Sequence, residues 1–152
     1  MTSPAARLRE LGITLPAVAV PAGSYLPARR SGSLVFTAGQ VPLVDGALPA
    51  TGKVGAEVTP EQGSDLARIC ALNALAAVDA LVGLDAVAGV VKVVGFVASA
   101  PGFTGQPGVI NGASDLLAEV FGEAGRHARS AVGVAELPLG VPVEVELVVE
   151  LT

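Results

Sequence analysis

The sequence predicts an α+β fold, one mixed sheet with two long helices on a single face, and three observations carry that prediction. Residues 60–82 and 109–121 repeat their apolar side chains at helical spacing. The last segment, Val143–Leu151, alternates strictly: Val143, Val145, Leu147, Val149 and Leu151 share one face, while Glu144, Glu146 and Glu150 share the other. The order of elements is a β-rich opening, then helix, strand, helix and a closing pair of strands, which suits helices segregated to one side of a sheet. No repeat or linker divides the chain, so a single domain over residues 1–152 is expected, with residues 1–15 as a helical N-terminal extension.

Taken in order, Ser3 and Pro4 open a short helix that Gly12 stops. After the Pro-punctuated stretch from Pro16 to Pro27, residues 33–41 (SLVFTAGQV) read as a strand between the Ser31-Gly32 turn and Pro42. Asp45-Gly46 is a turn signal, and residues 52–58 read as loop. Thr59-Pro60-Glu61-Gln62 begins the first long helix with a Thr cap, Pro in the first position and Gln62 placed to complete a capping box. On that helix Leu66, Ile69, Cys70, Ala77 and Leu81 form the inward face. Leu84-Asp85 starts a turn. Residues 90–98 (VVKVVGFVA) are rich in β-branched side chains, as in a strand covered on both sides. A Pro/Gly loop over 99–108 leads to the second long helix over 109–121, with Ile110, Ala113, Leu117, Val120 and Phe121 inward. Residues 131–137 and Val143–Leu151 then read as a hairpin about Pro138-Leu139-Gly140. That pairing would set Glu144 beside Arg129.

Composition narrows the function. The chain is 51% hydrophobic but 15% charged and 3% aromatic, too little polar surface to cover a molecule of this size comfortably, so subunit contacts are expected. No apolar run reaches the roughly 18 residues of a membrane span. A net charge of −5 and the absence of Trp disfavour a large nucleic-acid surface. One Cys excludes an intrachain disulfide, and the polar N-terminus lacks the apolar centre of a secretion signal, so a cytoplasmic location is expected.

The chemistry-bearing residues are few. One His and one Cys, far apart, cannot supply a zinc set, and there is no acidic calcium loop, Gly-x-Ser-x-Gly, Gly-x-Gly-x-x-Gly or Walker sequence. No metal or organic cofactor is expected. Cys70 lies on an apolar helix face and reads as a buried structural thiol; Asn73 nearby reads as a satisfied core amide, and His127 as a surface or capping residue. Glu146 and Glu150 read as a solvated strand face. Arg129 opens a strand, where its guanidinium could grip a carboxylate with two parallel hydrogen bonds, a geometry Lys cannot copy.

The run Arg129-Ser130-Ala131-Val132-Gly133-Val134-Ala135-Glu136-Leu137-Pro138, followed by Val143-Glu144-Val145-Glu146, closely resembles the C-terminal signature of the reactive-intermediate deaminase family, also called Rid, YjgF-like or L-PSP endoribonuclease-like. Supporting likenesses are Phe36-Thr37-Ala38-Gly39-Gln40-Val41-Pro42 to the family's Ser-Gly-Gln-Ile-Pro strand and Ala22-Gly23-Ser24-Tyr25 to its Gly-Pro-Tyr turn; Ile110-Asn111-Gly112 sits where the family's second helix carries an Asn. The resemblance runs from about Tyr25 to the end. It implies a chorismate-mutase-like fold assembled as a homotrimer with clefts between subunits. It further implies that Arg129 binds the carboxylate of a 2-imino or enamine acid and that Glu144 orients or activates the water that releases ammonia and a 2-keto acid. Tyr25, Ala38, Gly39, Asn111 and Ala131 would line the cleft, Ala131 through its backbone. Two positions depart from the pattern: Ala38 replaces a Ser, and Ala131 stands where deaminating members often carry Cys. An imine or enamine deaminase is therefore the leading expectation. A trimeric module that binds small carboxylates without turning them over is the alternative, with RNA cleavage and a chaperone-like role behind them.

Overall fold

The computed structural model describes residues 2–152; Met1, the first residue of the expected extension, lies outside them. Helix α1 (Pro4–Glu10) is capped by the Ser3 hydroxyl, which accepts from the Ala6 amide at 3.2 Å. Strands β1 (Ala28–Ser31) and β2 (Leu34–Thr37) form a hairpin. Helix α2 (Pro60–Val82) begins at the expected capping box: Gln62 N donates to Thr59 Oγ1 at 3.1 Å and Thr59 N to Gln62 Oε1 at 2.9 Å. Strand β3 (Val87–Ala98), helix α3 (Gln106–Phe121), strand β4 (Ala128–Val134) and strand β5 (Val143–Leu151) complete the chain.

The five strands form one sheet in the order β1-β2-β5-β3-β4. All neighbours are antiparallel except β3 and β4, which are parallel because α3 carries the chain back between them. Helices α2 and α3 pack on one face, where Leu75, Leu116, Leu117, Val93, Val97, Val145 and Leu147 belong to a single buried cluster. The two helices approach so closely at Gly112 that a Cβ there would run into the Ser64 backbone. This is the chorismate-mutase-like α+β architecture.

Several expectations need correction. The closing pair of strands is not a hairpin: β5 lies between β2 and β3, and β3 separates it from β4. Every inward residue of β5 is a buried Val or Leu, so β5 gains most from a central place, whereas β4, with Ser130 and Gly133, takes the edge. Residues 135–142 cross the end of β3, and Leu139 adopts a left-handed conformation (φ 63°) on the way. Strand β1, which includes Ser31 of the expected Ser31-Gly32 turn, is not foreseen in the sequence because Arg-Arg-Ser carries no strand propensity; on an outer edge it needs little. The expected strand over 33–41 is β2 plus one bridge, Gln40 to Val145. Helix α3 starts at Gln106, since Pro107 falls in the first turn, where no amide hydrogen is required. Leu81, expected inward, is 46% exposed in the last turn of α2.

Strand β3 is covered on one side only within a single chain. Its other face is open, and across it Phe36, Val91 and Val132 are exposed and Val94, Phe96 and Val148 half-covered.

Candidate functional site

The seven residues singled out from sequence fall into two groups on opposite faces of the sheet. Arg129 pairs in register with Val93, whose side chain is buried beneath the helices, so it points to the helix side. There its Nη1 donates to Asn111 Oδ1 at 2.6 Å and to Ser114 Oγ at 3.2 Å, both on α3. Ala131, two residues along β4, shares that face and packs against the core. Among the described residues no carboxylate lies within ion-pair distance of Arg129; the guanidinium is held by neutral acceptors.

Glu144 alternates with buried Val143 and Val145, so it stands on the open face. It lies across the ladder from Phe96, which in turn pairs with Val132. Its carboxyl approaches Gly39 so closely that a Cβ at Gly39 would lie 2.8 Å from it. Burial, with a smaller contribution from the charge of Glu146, pushes the Glu144 carboxyl above its ordinary range.

The Gly39 corner is fixed by buried polar groups. Gln40 and Val145 exchange backbone hydrogen bonds at 2.8 and 3.0 Å, and the Thr37 hydroxyl accepts from the Leu147 amide at 2.9 Å. Ala38 N donates to Pro27 O at 2.8 Å, which brings the segment before Pro27 alongside Ala38 and Gly39. Tyr25, half-exposed, sits in that segment with its hydroxyl accepting from the Ala22 amide at 3.2 Å.

Ala38, Gly39 and Glu144 thus gather at one corner of the chain, with Tyr25 two residues before the Pro27 that pairs with Ala38, and Asn111, Arg129 and Ala131 lie at another. Arg129 and Glu144 do not face each other in one chain. The expected contact across a hairpin fails because β3 intervenes and their side chains leave opposite faces.

With the Arg129 run on the edge strand and Glu144 one strand further in, beyond β3, the chain matches over residues 5–151 a family model described as "YjgF/chorismate mutase-like, putative endoribonuclease". The chain belongs to that family. Protein TCP17 of Trypanosoma cruzi is 50% identical over 149 residues, covering 97% of this chain and 93% of that protein. A crystal structure called a putative endoribonuclease, from Shewanella oneidensis, superposes with a TM-score of 0.93 at 36% identity, over 98% of this chain and 99% of that one. E. coli TdcF, solved with bound serine, superposes with a TM-score of 0.65 at 26% identity, over 91% of this chain and 94% of TdcF.

In this YjgF-like chain the other singled-out polar residues take structural places. Cys70 is buried, donates weakly to Val143 O at 3.8 Å, and burial pushes its thiol well above the ordinary value. The Asn73 amide clamps the turn after β2 by donating to Val41 O and Leu43 O at 3.0 and 3.1 Å. Glu150 is exposed. Of the surface and capping roles expected for His127, the structure has the second: the half-buried ring is bonded to Gly125 O at the end of the turn at 2.6 Å and, through its other nitrogen, to Ser114 Oγ at 2.9 Å. Ser114 escaped the sequence reading, although its spacing of three from Asn111 puts both on one helix face. Among the described residues no cluster of three His, Cys, Asp or Glu side chains could hold a metal ion, and no helix is long and apolar enough to cross a membrane.

Proposed function

We propose that this protein hydrolyses 2-imino or enamine acids to 2-keto acids and ammonia, in clefts formed where the Arg129 corner of one copy meets the Glu144 corner of another. The observation that carries the reading is the Arg129 guanidinium. It is fixed on its Nη1 side by Asn111 and Ser114, has no acid partner among the described residues, and so keeps its Nε and Nη2 hydrogens for an incoming carboxylate.

The separation of the two corners supports an assembly of copies, since one chain cannot bring Arg129 and Glu144 to the same ligand. The open apolar face bearing Phe36, Val91 and Val132 gives a homotrimer a surface to bury. In such a cleft Arg129 holds the substrate carboxylate, and Asn111 and the Ala131 backbone flank the reacting carbon. Glu144, with its affinity for a proton raised by burial, takes one from water as the oxygen attacks the imine carbon. The resulting carbinolamine collapses: Glu144 returns the proton to the nitrogen, the carbon–nitrogen bond breaks to release ammonia, and the hydroxyl proton passes to Glu144 as the carbon–oxygen double bond of the keto acid forms. Tyr25, Ala38 and Gly39 shape the far wall. Imine hydrolysis is intrinsically easy, so orientation and one proton relay suffice without a cofactor.

A binding module for small carboxylates is the second reading. It is favoured by Ala38 and Ala131, which bring no hydroxyl or thiol into the cleft, and by the serine bound to TdcF. An amino-acid oxidase generating imino acids in situ separates the two. Keto-acid release faster than the uncatalysed background, falling by about 10²–10⁴-fold in kcat/KM for Arg129→Ala, supports the enzyme. Equal release with and without the protein removes it; thermal stabilisation of the wild type but not the variant by a keto acid would then leave the binding module. Sedimentation as a single chain at micromolar concentration would remove both.

A further inference from the structure

The Arg129 guanidinium ends a chain of hydrogen bonds that leads away from the proposed cleft into the body of the protein. Its Nη1 has two hydrogens, and both are engaged, by Asn111 Oδ1 at 2.6 Å and Ser114 Oγ at 3.2 Å. A serine hydroxyl has a single proton, and its oxygen accepts from Arg129 with a defined lone pair only if that proton is directed elsewhere. His127 Nε2, 2.9 Å from Ser114 Oγ, is the acceptor in place to take it. That role requires the ring proton to sit on Nδ1, where the Gly125 carbonyl receives it at 2.6 Å. Every link is thereby satisfied in one direction: Arg129 donates to Ser114, Ser114 to His127, and His127 to the Gly125 backbone.

The far end of this chain is rigid. Gly125 is buried in the turn after α3, where a Cβ would collide with the Leu117 carbonyl, so its backbone lies directly against the helix that carries Asn111 and Ser114. The imidazole is therefore bound to the same helix at both ends, through Ser114 and through the Gly125 turn. Hydrogen bonds aligned head to tail polarise one another and strengthen the outermost one.

We propose that Ser114 and His127 are positioning residues that lock the rotation of the Arg129 guanidinium and leave its Nε–Nη2 edge turned toward the ligand. The function assigned to that edge rests on the reading above; the locking itself does not. Asn111 alone fixes one hydrogen and leaves the group free to pivot about that bond. The second anchor at Ser114 removes the pivot, and His127 sets which way the hydroxyl presents its lone pair.

Arginine side-chain 15N NMR on the full-length protein tests the locking without any appeal to activity. The two Nη signals of Arg129, assigned by their loss in Arg129→Lys, should stay separate at temperatures where the Nη signals of exposed Arg126 average. They should merge in Ser114→Ala and in His127→Phe, which keeps the ring but not the acceptor. His127→Gln, which returns an acceptor near the place of Nε2, should keep them apart. In the coupled imino-acid assay Ser114→Ala should raise KM on the order of tenfold with kcat held within about threefold, the signature of lost ground-state grip. His127→Phe should raise KM severalfold, and His127→Gln should restore it. Pyruvate binding by calorimetry should weaken in the same order. Unchanged Nη exchange in both Ser114→Ala and His127→Phe would overturn the proposal, as would parallel loss of kcat and KM effects in His127→Gln and His127→Phe. A wild type with neither turnover nor pyruvate binding, but with Nη signals that merge in the two variants, would retain the locking and discard the deaminase reading.

Discussion

Around Arg129 polar groups are wired in series, whereas none among the described residues donates to the Glu144 carboxylate. Arg129 lies on the edge strand, half-exposed, with Asn111, Ser114, His127 and Gly125 O linked behind it. Glu144 lies on a central strand, opposite Phe96 and against Gly39, with no hydrogen-bond donor to its carboxylate among the described residues. The contrast matches what the proposed reaction asks of each group. A permanent cation needs its direction fixed, and neutral acceptors fix it without cancelling its charge. A carboxyl that must take and return a proton needs an environment that weakens its ionised form, and apolar neighbours do this where donors would not. The two environments are incompatible at one spot, and within one chain they sit at separate corners; in the proposed assembly they meet between copies.

The largest effect expected from this division is complementation. Arg129→Ala and Glu144→Gln should each be nearly inactive as pure assemblies. Refolded together from denaturant in equal amounts, they should recover about a quarter of the wild-type activity, because in a closed cyclic assembly with random mixing about one cleft in four takes both intact halves. No recovery in mixed assemblies, verified by a mass tag on one variant, would mean that Arg129 and Glu144 serve one cleft from the same chain, and the comparison would break.

How much of this was legible in sequence depended on whether the signal was local. The capping box of α2, the Ser3 cap and the alternation of β5 involve residues a few positions apart, and all stand in the structure as read. The motif around Arg129 pointed to the family for the same reason. What could not be read was strand order. Residues 128–134 and 143–151 are close in sequence and joined through Pro-Leu-Gly, which is what a hairpin looks like; that β5 enters between β2 and β3 is decided by competition for the centre of the sheet, a property of the whole chain. The same limit hid β1 and Ser114. An Arg-Arg-Ser strand exists only because β2 offers it an edge, and Ser114 matters only because His127 arrives beside it after the turn at Gly125.

A smaller perturbation can sharpen the Glu144 half. In Gly39→Ala the new methyl would need the space of the Glu144 carboxyl, 2.8 Å away, and the end of a flexible side chain can move aside. Stability should therefore fall by no more than about 1 kcal/mol. Activity should fall much further, on the order of tenfold or more in kcat, because a shift of about 1 Å in a proton-transferring group is poorly tolerated. Equal, small losses in both would show that the position of Glu144 is not critical.

The smallest effect, and the most direct reading of the environment of Glu144, is in stability against pH. Its carboxyl has a raised affinity for protons in the folded chain, so between its ordinary range and that raised value the native state binds more protons than the unfolded state. Stability then falls as pH rises through that window, and above it the loss stays constant. Glu57 is the opposite case, since the Lys53 amide donates to its Oε2 at 2.8 Å and holds its carboxyl below the ordinary range. Its contribution is present at neutral pH and fades as acid protonates it. Glu144→Gln should consequently gain on the wild type in melting temperature as pH is raised from about 3 to 7, while Glu57→Gln should lose ground over the same interval. Both differences should be modest, within a few degrees, and of opposite sign. A Glu144→Gln difference that is flat across the interval would show that burial does not disfavour the ionised Glu144, and the proton-relay half of the comparison would lose its physical basis.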